Sequence, residues 1–186
     1  MDKVKNICDC QEFDESAIRK CCLANNTSKD SRERKRLLIE FMYIDLQVCV
    51  RCMGTDTVLE EAIAEVTNVL KAAGYEIEVR KILVTSEKQA EALNFISSPT
   101  IRINGQDIQL DAKESLCESC GDVAGEDIDC RVWSWEGKEY SQPPKAMLVD
   151  ALLRHVYGGR QPAAQAGRAI PENLKRFFAA KRKMRL

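Results

Sequence analysis

The stretch that most limits how this chain can fold is Cys49-Val50-Arg51-Cys52-Met53-Gly54. A strongly apolar run from Leu37 to Leu46 leads into it, and a long amphipathic segment from Asp56 to Gly74 leaves it. Strand, Cys-x-x-Cys, helix sets two sulfurs where a buried strand meets a helix N-terminus. A thiolate, not a thiol, is the nucleophile and the metal ligand, and its pKa falls near such a terminus or beside a cation. Arg51, between the two cysteines, offers that cation. Close to a βαβ pattern the motif reads as a redox pair. Thr57-Val58-Leu59-Glu60 also matches a capping box. If the helix starts at Thr57, both cysteines lie in the loop before it and feel less of its dipole.

The flanking pattern fits the same plan. Residues 37–46 suit a central strand buried on both faces. Leu59, Ala62, Ile63, Val66, Val69, Leu70 and Ala73 recur at three- and four-residue spacing, a core-facing helical stripe ended by Gly74. Tyr75 to Val84 alternates as a second strand, and Ser86 to Ile96 is a second helix that opens on Ser86-Glu87-Lys88-Gln89. Ser98-Pro99-Thr100 follows. Then Asn104-Gly105 separates Ile101-Arg102-Ile103 from Ile108-Gln109-Leu110, a strong hairpin signal. Beyond Cys130, residues 132–140 predict another hairpin turning at Glu136-Gly137, with Trp133 and Trp135 on one face as packing residues. Pro143-Pro144 opens a closing helix through Tyr157, with Met147, Leu148, Ala151 and Leu152 on its apolar side.

From about Leu37 to Gly158 the chain resembles the thioredoxin superfamily. More narrowly, it is similar to a bacterial and archaeal family of that fold catalogued as a domain of unknown function. Three stretches carry the likeness: Cys49-Val50-Arg51-Cys52-Met53-Gly54-Thr55, Ser98-Pro99-Thr100-Ile101-Arg102-Ile103-Asn104-Gly105, and Asp129-Cys130-Arg131-Val132-Trp133. The resemblance implies an α/β thioredoxin-like fold: βαβ, a cis-proline at Pro99 facing the Cys-x-x-Cys, a β-hairpin and a closing helix. The chain departs from ordinary thioredoxin in having Val48 before the first cysteine and Val50-Arg51 between the pair. Tyr43 stands where thioredoxin carries a buried acid, and Asp45 lies out of that register.

The chain has 186 residues, a net charge of −1 and 31% charged residues, with a pI near 6.0. That balance points to neither nucleic acid nor a membrane surface. Met1-Asp2-Lys3-Val4-Lys5 opens on polar sequence rather than a signal peptide, and no apolar run reaches the roughly 18 residues of a membrane span. The expected location is the cytoplasm. Nine cysteines in that compartment read as catalytic or metal-binding before they read as structural disulfides. With His155 as the single histidine, a His-rich metal site is excluded, and any Cys–His pair rests on that residue.

Three parts are expected. Residues 1–36 form an appendage holding Cys8, Cys10, Cys21 and Cys22, with a short helix from Glu12 to Leu23 and a basic linker. Residues 37–158 form the α/β domain, with a cysteine-rich insertion over 111–143. Residues 159–186 are a linker and a basic helix, opened by Pro171, whose Leu174, Phe177 and Phe178 form an apolar patch.

The insertion carries Cys117-Glu118-Ser119-Cys120 and then Cys130. The strand after Pro99 runs away from the cysteine end of the sheet and its hairpin partner returns, so residues 111–130 should emerge near Cys49 and Cys52. Two chemistries follow. In the first, the chain is a thiol–disulfide oxidoreductase acting on a protein or small-molecule disulfide: Cys49 is the nucleophile, Cys52 resolves, Arg51 favours the thiolate and Pro99 shapes the substrate groove. In the second, Cys117, Cys120 and Cys130 hold zinc or another thiophilic metal or metalloid, with or without the first pair. A fourth ligand is not evident near those three in the sequence.

Overall fold

The computed structural model describes residues 35–158 and 169–184. The expectations for Cys8, Cys10, Cys21, Cys22, the helix over 12–23 and the linker over 159–168 fall outside them. In chain order the elements are β1 (Lys35–Tyr43), α1 (Val50–Ala72), β2 (Tyr75–Leu83), α2 (Glu87–Ala92), β3 (Thr100–Ile103) and β4 (Gln106–Asp107). They continue as β5 (Lys113–Leu116), α3 (Glu118–Ala124), β6 (Asp129–Trp135), β7 (Lys138–Tyr140), α4 (Lys145–Tyr157) and α5 (Glu172–Lys183). The architecture is α/β, with one four-stranded sheet ordered β2-β1-β3-β4 and one three-stranded sheet ordered β5-β6-β7.

β1 lies inside the larger sheet, parallel to β2 and antiparallel to β3, with Phe41 opposite both Lys81 and Ile101. Its Leu37, Ile39 and Phe41 are wholly buried against Leu59, Ala62, Val66 and Leu70 of α1 and Met147, Leu148 and Leu152 of α4. The other face is closed only toward its C-terminal end. There Met42 and the following Ile44 join a second core with the cysteines, while Leu38 and Glu40 stay half-buried. Burial on both faces, expected for the whole strand, therefore holds only near the cysteines. The α1 stripe is likewise narrower than its spacing implied, because Val69 is 55% exposed.

α1 starts at Val50 with Cys49 as its N-cap, not at Thr57. Asp45 explains the early start: its Oδ1 accepts the backbone N–H groups of Gln47 (2.7 Å) and Val48 (2.9 Å), turning the chain sharply out of β1. Cys49 then caps the first turn as a serine would, its Sγ accepting Cys52 N–H at 3.4 Å. The first helical bond runs from Met53 N–H to the Cys49 carbonyl. Thr57, inside the helix, donates its hydroxyl back to the Met53 carbonyl at 3.1 Å.

Both predicted turns form, but the second arm of the first hairpin is Gln106–Asp107 rather than Ile108–Leu110, because a two-residue turn places Gln106 directly opposite Ile103. Asn104-Gly105 (φ 49° and 81°) and Glu136-Gly137 (φ 48° and 75°) are two-residue turns with positive φ at both positions. The Ser98–Pro99 peptide is cis.

β6 ties the smaller sheet to the larger. Its Arg131 is 0% exposed and forks onto Asp107, with Nη1–Oδ1 at 3.0 Å and Nη2–Oδ2 at 2.8 Å. It also donates to the Thr100 hydroxyl and the Gln109 carbonyl, and its guanidinium lies 5.3 Å from the Trp133 ring.

Candidate functional site

Cys49, at the N-cap of α1, meets three sulfurs from the region 111–143. Cys117 caps α3, Cys120 lies one turn into that helix, and Cys130 sits on β6. The Sγ atoms of Cys49, Cys117, Cys120 and Cys130 all lie within 4.8 Å of one another. None of the four is more than 3% exposed, and all are free thiols. The fourth sulfur beside Cys117, Cys120 and Cys130 is thus supplied by the first Cys-x-x-Cys, a neighbour no spacing rule reveals. Tertiary folding alone brings it there.

Several contacts hold the four in place. Ser119 stitches the two motifs together: its Oγ accepts Val50 N–H at 3.3 Å and lies 3.5 Å from the Cys117 sulfur. The Cys117 carbonyl accepts N–H groups from Cys120 and Gly121, and Cys117 N–H reaches the Ile128 carbonyl. Cys130 donates its thiol to Cys120 at 3.4 Å.

Arg51 does something its sequence position did not disclose. Its guanidinium donates to the carbonyls of Leu116 (2.6 Å), Cys130 (2.9 Å) and Ser115 (3.2 Å) and to the Ser115 hydroxyl. One side chain from α1 thereby clamps the ends of β5 and β6 on which Cys117 and Cys130 ride.

Cys52 is buried but belongs to no group of four. Its sulfur lies 3.4 Å from the Ser98 hydroxyl, which also accepts Ile44 N–H. Pro99 is buried, and the carbonyl of Ser98 before it accepts Arg131 N–H at 2.7 Å. β6 therefore already occupies the backbone edge beside Pro99.

The protons are unevenly shared. The thiols of Cys117, Cys120, Cys130 and Cys52 hydrogen-bond to Cys49 and hold it far below the usual thiol range, against the opposing cost of burial. Cys120, then Cys130, lower Cys117 to about 6. Cys120 and Cys130 are pushed up, chiefly by Cys117. Cys52 is raised too, first by Cys49 and then by burial. Four sulfurs this close cannot all carry charge unless a cation joins them, so they titrate as a group rather than singly.

A lid of apolar side chains completes the surroundings. Ile170, Leu174, Phe177 and Phe178 of the α5 segment are buried in the same core as the five cysteines. Lys181 of α5 pairs with Asp45 at 2.9 Å and Asn173 exchanges hydrogen bonds with the backbone of Asp129. The apolar patch of this basic helix is thus docked on the domain. His155 is engaged by the Asn104 amide at 2.8 Å and lines a cleft of about 390 Å³ with Trp135 and Arg154. Trp133 is fully buried and Trp135 half-buried, as packing residues should be.

Among the described residues no helix is long and apolar enough to cross a membrane. A family model described as a domain of unknown function, DUF2703, matches residues 37–152. No curated protein and no solved structure matches the chain. The matched span contains every one of the five cysteines described above and ends before α5.

Proposed function

We propose that this chain, which belongs to the DUF2703 family, is a thioredoxin-like protein whose first Cys-x-x-Cys cysteine has joined the second cysteine cluster in a mononuclear four-thiolate metal centre. The ligands are Cys49, Cys117, Cys120 and Cys130, and the ion is zinc or another thiophilic metal. The observation that carries this reading is the convergence of four buried sulfurs within 4.8 Å from three separate segments. Tetrahedral zinc with Zn–S bonds of about 2.3 Å sets its sulfurs about 3.8 Å apart, well inside that limit. Four sulfurs and no histidine select a soft or borderline ion. Full burial leaves no open coordination position, which is the pattern of a closed site. The thioredoxin-like reading of the fold is supported by the β1-α1-β2 unit, the cis Ser98–Pro99 peptide beside Cys52, the hairpin after it and the closing helix α4.

A second reading, a thiol–disulfide redox protein acting through Cys49 and Cys52, is favoured by one observation. The neighbouring thiols draw Cys49 down while Cys49 and burial push Cys52 up, the direction of asymmetry a nucleophile and its resolving partner require. The seat of β6 on the Ser98 carbonyl weighs against an external protein substrate.

One experiment separates the two. Full-length chain purified anaerobically is assayed for bound metal and for disulfide reductase activity. The metal reading expects one thiophilic ion held by these cysteines, lost in Cys49→Ser and in Cys120→Ser. Unchanged stoichiometry in both variants overturns it. A metal-free chain whose reductase activity vanishes in Cys49→Ser establishes the redox reading instead.

A further inference from the structure

We infer that Cys52 is the reserve thiol of this centre: a small peroxide oxidises Cys49, Cys52 captures the oxidised sulfur as a Cys49–Cys52 disulfide, and the metal ion is released. The inference rests on the four-thiolate reading above and adds an oxidant, a covalent product and a release step to it.

Five buried thiols crowd this core and four of them converge. The fifth, Cys52, stands three positions from Cys49 in the first turn of α1, with its N–H 3.4 Å from the Cys49 sulfur. Residues at that spacing hold their Cβ atoms roughly 5–6 Å apart, so a small local adjustment reaches disulfide geometry. Among the described residues, Cys49 is the one ligand with a non-ligand cysteine so near in the chain. Cys117 has Cys120 at that spacing, but both are ligands.

Access selects the oxidant. Cys49 is 0% exposed, although its chain neighbours Val48 and Val50 at the start of α1 are 42% and 56% exposed. A site closed this fully admits a molecule the size of hydrogen peroxide more readily than a bulky disulfide.

The chemistry balances. The Cys49 thiolate attacks one peroxide oxygen; an S–O bond forms, the O–O bond breaks and hydroxide leaves, giving a sulfenic acid. The Cys52 sulfur then attacks that sulfur. The S–S bond forms, the S–O bond breaks, and the Cys52 proton departs with the oxygen as water. Two electrons have passed from the two sulfurs to the peroxide. The ion is left with Cys117, Cys120 and Cys130 and is lost to solvent, and those three take up protons. A dithiol reductant reverses the disulfide and restores the fourth ligand.

The test uses reduced full-length chain loaded with zinc, treated with hydrogen peroxide in the presence of a chromogenic zinc chelator, with disulfides located by peptide mapping. Zinc release should track formation of the Cys49–Cys52 disulfide, and dithiothreitol should restore binding. Cys52→Ser should load zinc to the same stoichiometry, form no Cys49 disulfide, carry an over-oxidised Cys49, and rebind at least roughly ten-fold less zinc after dithiothreitol. The same series in a chain with Cys8, Cys10, Cys21 and Cys22 changed to Ser assigns the released ion to this centre. Recovery of zinc binding in Cys52→Ser as complete as in the wild type, or a disulfide among Cys117, Cys120 and Cys130 instead, overturns this inference and leaves the metal reading standing. A reduced chain of that background that takes up no zinc overturns both.

Discussion

Arg51 stands between two cysteines, and from sequence its charge is expected to serve their sulfurs. Instead its planar fork is spread over backbone carbonyls of Ser115, Leu116 and Cys130 and the Ser115 hydroxyl. A guanidinium spreads five donors over a rigid planar fork and reaches these separated acceptors from two nitrogens, whereas an ammonium is a compact point charge with three donors on one. Arg51→Ala should therefore cost about 2 kcal/mol of stability, and Arg51→Lys should recover little of it; urea-denaturation midpoints of the three proteins measure this. A Lys variant as stable as the wild type would mean that charge alone matters here. The cysteines were legible as residue types and Arg51 as a charge. The division of labour among them was not, because it depends on which loop each faces. Cys49 leaves its sequence partner Cys52 for sulfurs in the 111–130 region, and no local pattern encodes that choice.

Elements were easier to read than their ends. Hairpins at Asn104-Gly105 and Glu136-Gly137 form where turn chemistry put them, because positive φ at both central residues is a purely local demand. Of the two starts the sequence leaves open for α1, the structure takes the earlier: Thr57-Glu60 only mimics a cap, whereas Asp45 and Cys49 perform the capping with less familiar chemistry. For α5 the amphipathic pattern gave the apolar face but not its destination, the core around the cysteines. Its anchor at Asp45 makes docking pH-dependent. Burial raises that carboxyl, but the hydrogen bond from Lys181 and the N–H groups of Val48 and Gln47 outweigh it, leaving the value below the ordinary 3.8. A depressed carboxylate contributes stability that is complete above its unfolded value and lost as pH falls through its folded one. Below about pH 4, α5 should loosen, and alkylation of the five buried thiols should accelerate once the sample is returned to a reactive pH in a brief pulse. Asp45→Asn should show that faster alkylation already at neutral pH. Equal protection of the thiols in Asp45→Asn and wild type would remove Asp45 from this role.

At the scale of the whole molecule, two sheets are joined by a small set of polar connections. Arg131 binds β6 to Asp107 and Thr100, Arg51 binds α1 to β5 and β6, and the four sulfurs bridge the same gap. On the four-thiolate reading proposed above, an ion at those sulfurs would cross-link them. Chelation should therefore lower the thermal midpoint, by an amount equivalent to about 4 kcal/mol for an ion present at a thousand times its dissociation constant. Hydrogen exchange should rise first over residues 113–140, since that sheet loses its attachment while β1, β2, α1 and α4 keep their own core. A uniform rise across the chain would show that the centre stabilises the domain as one unit.

The contact between Val50 and the Ser119 hydroxyl spans 69 positions of chain, and that separation has a meaning in time. A ribosome delivers Cys49 and Cys52 together, well ahead of the sulfurs at 117, 120 and 130. During that interval the first pair is an ordinary vicinal dithiol with no competitor for Cys49. If it closes on itself then, the centre is missing a ligand before its other three exist. On the four-thiolate reading proposed above, synthesis of this protein therefore needs a reducing environment first and a supply of metal only afterwards.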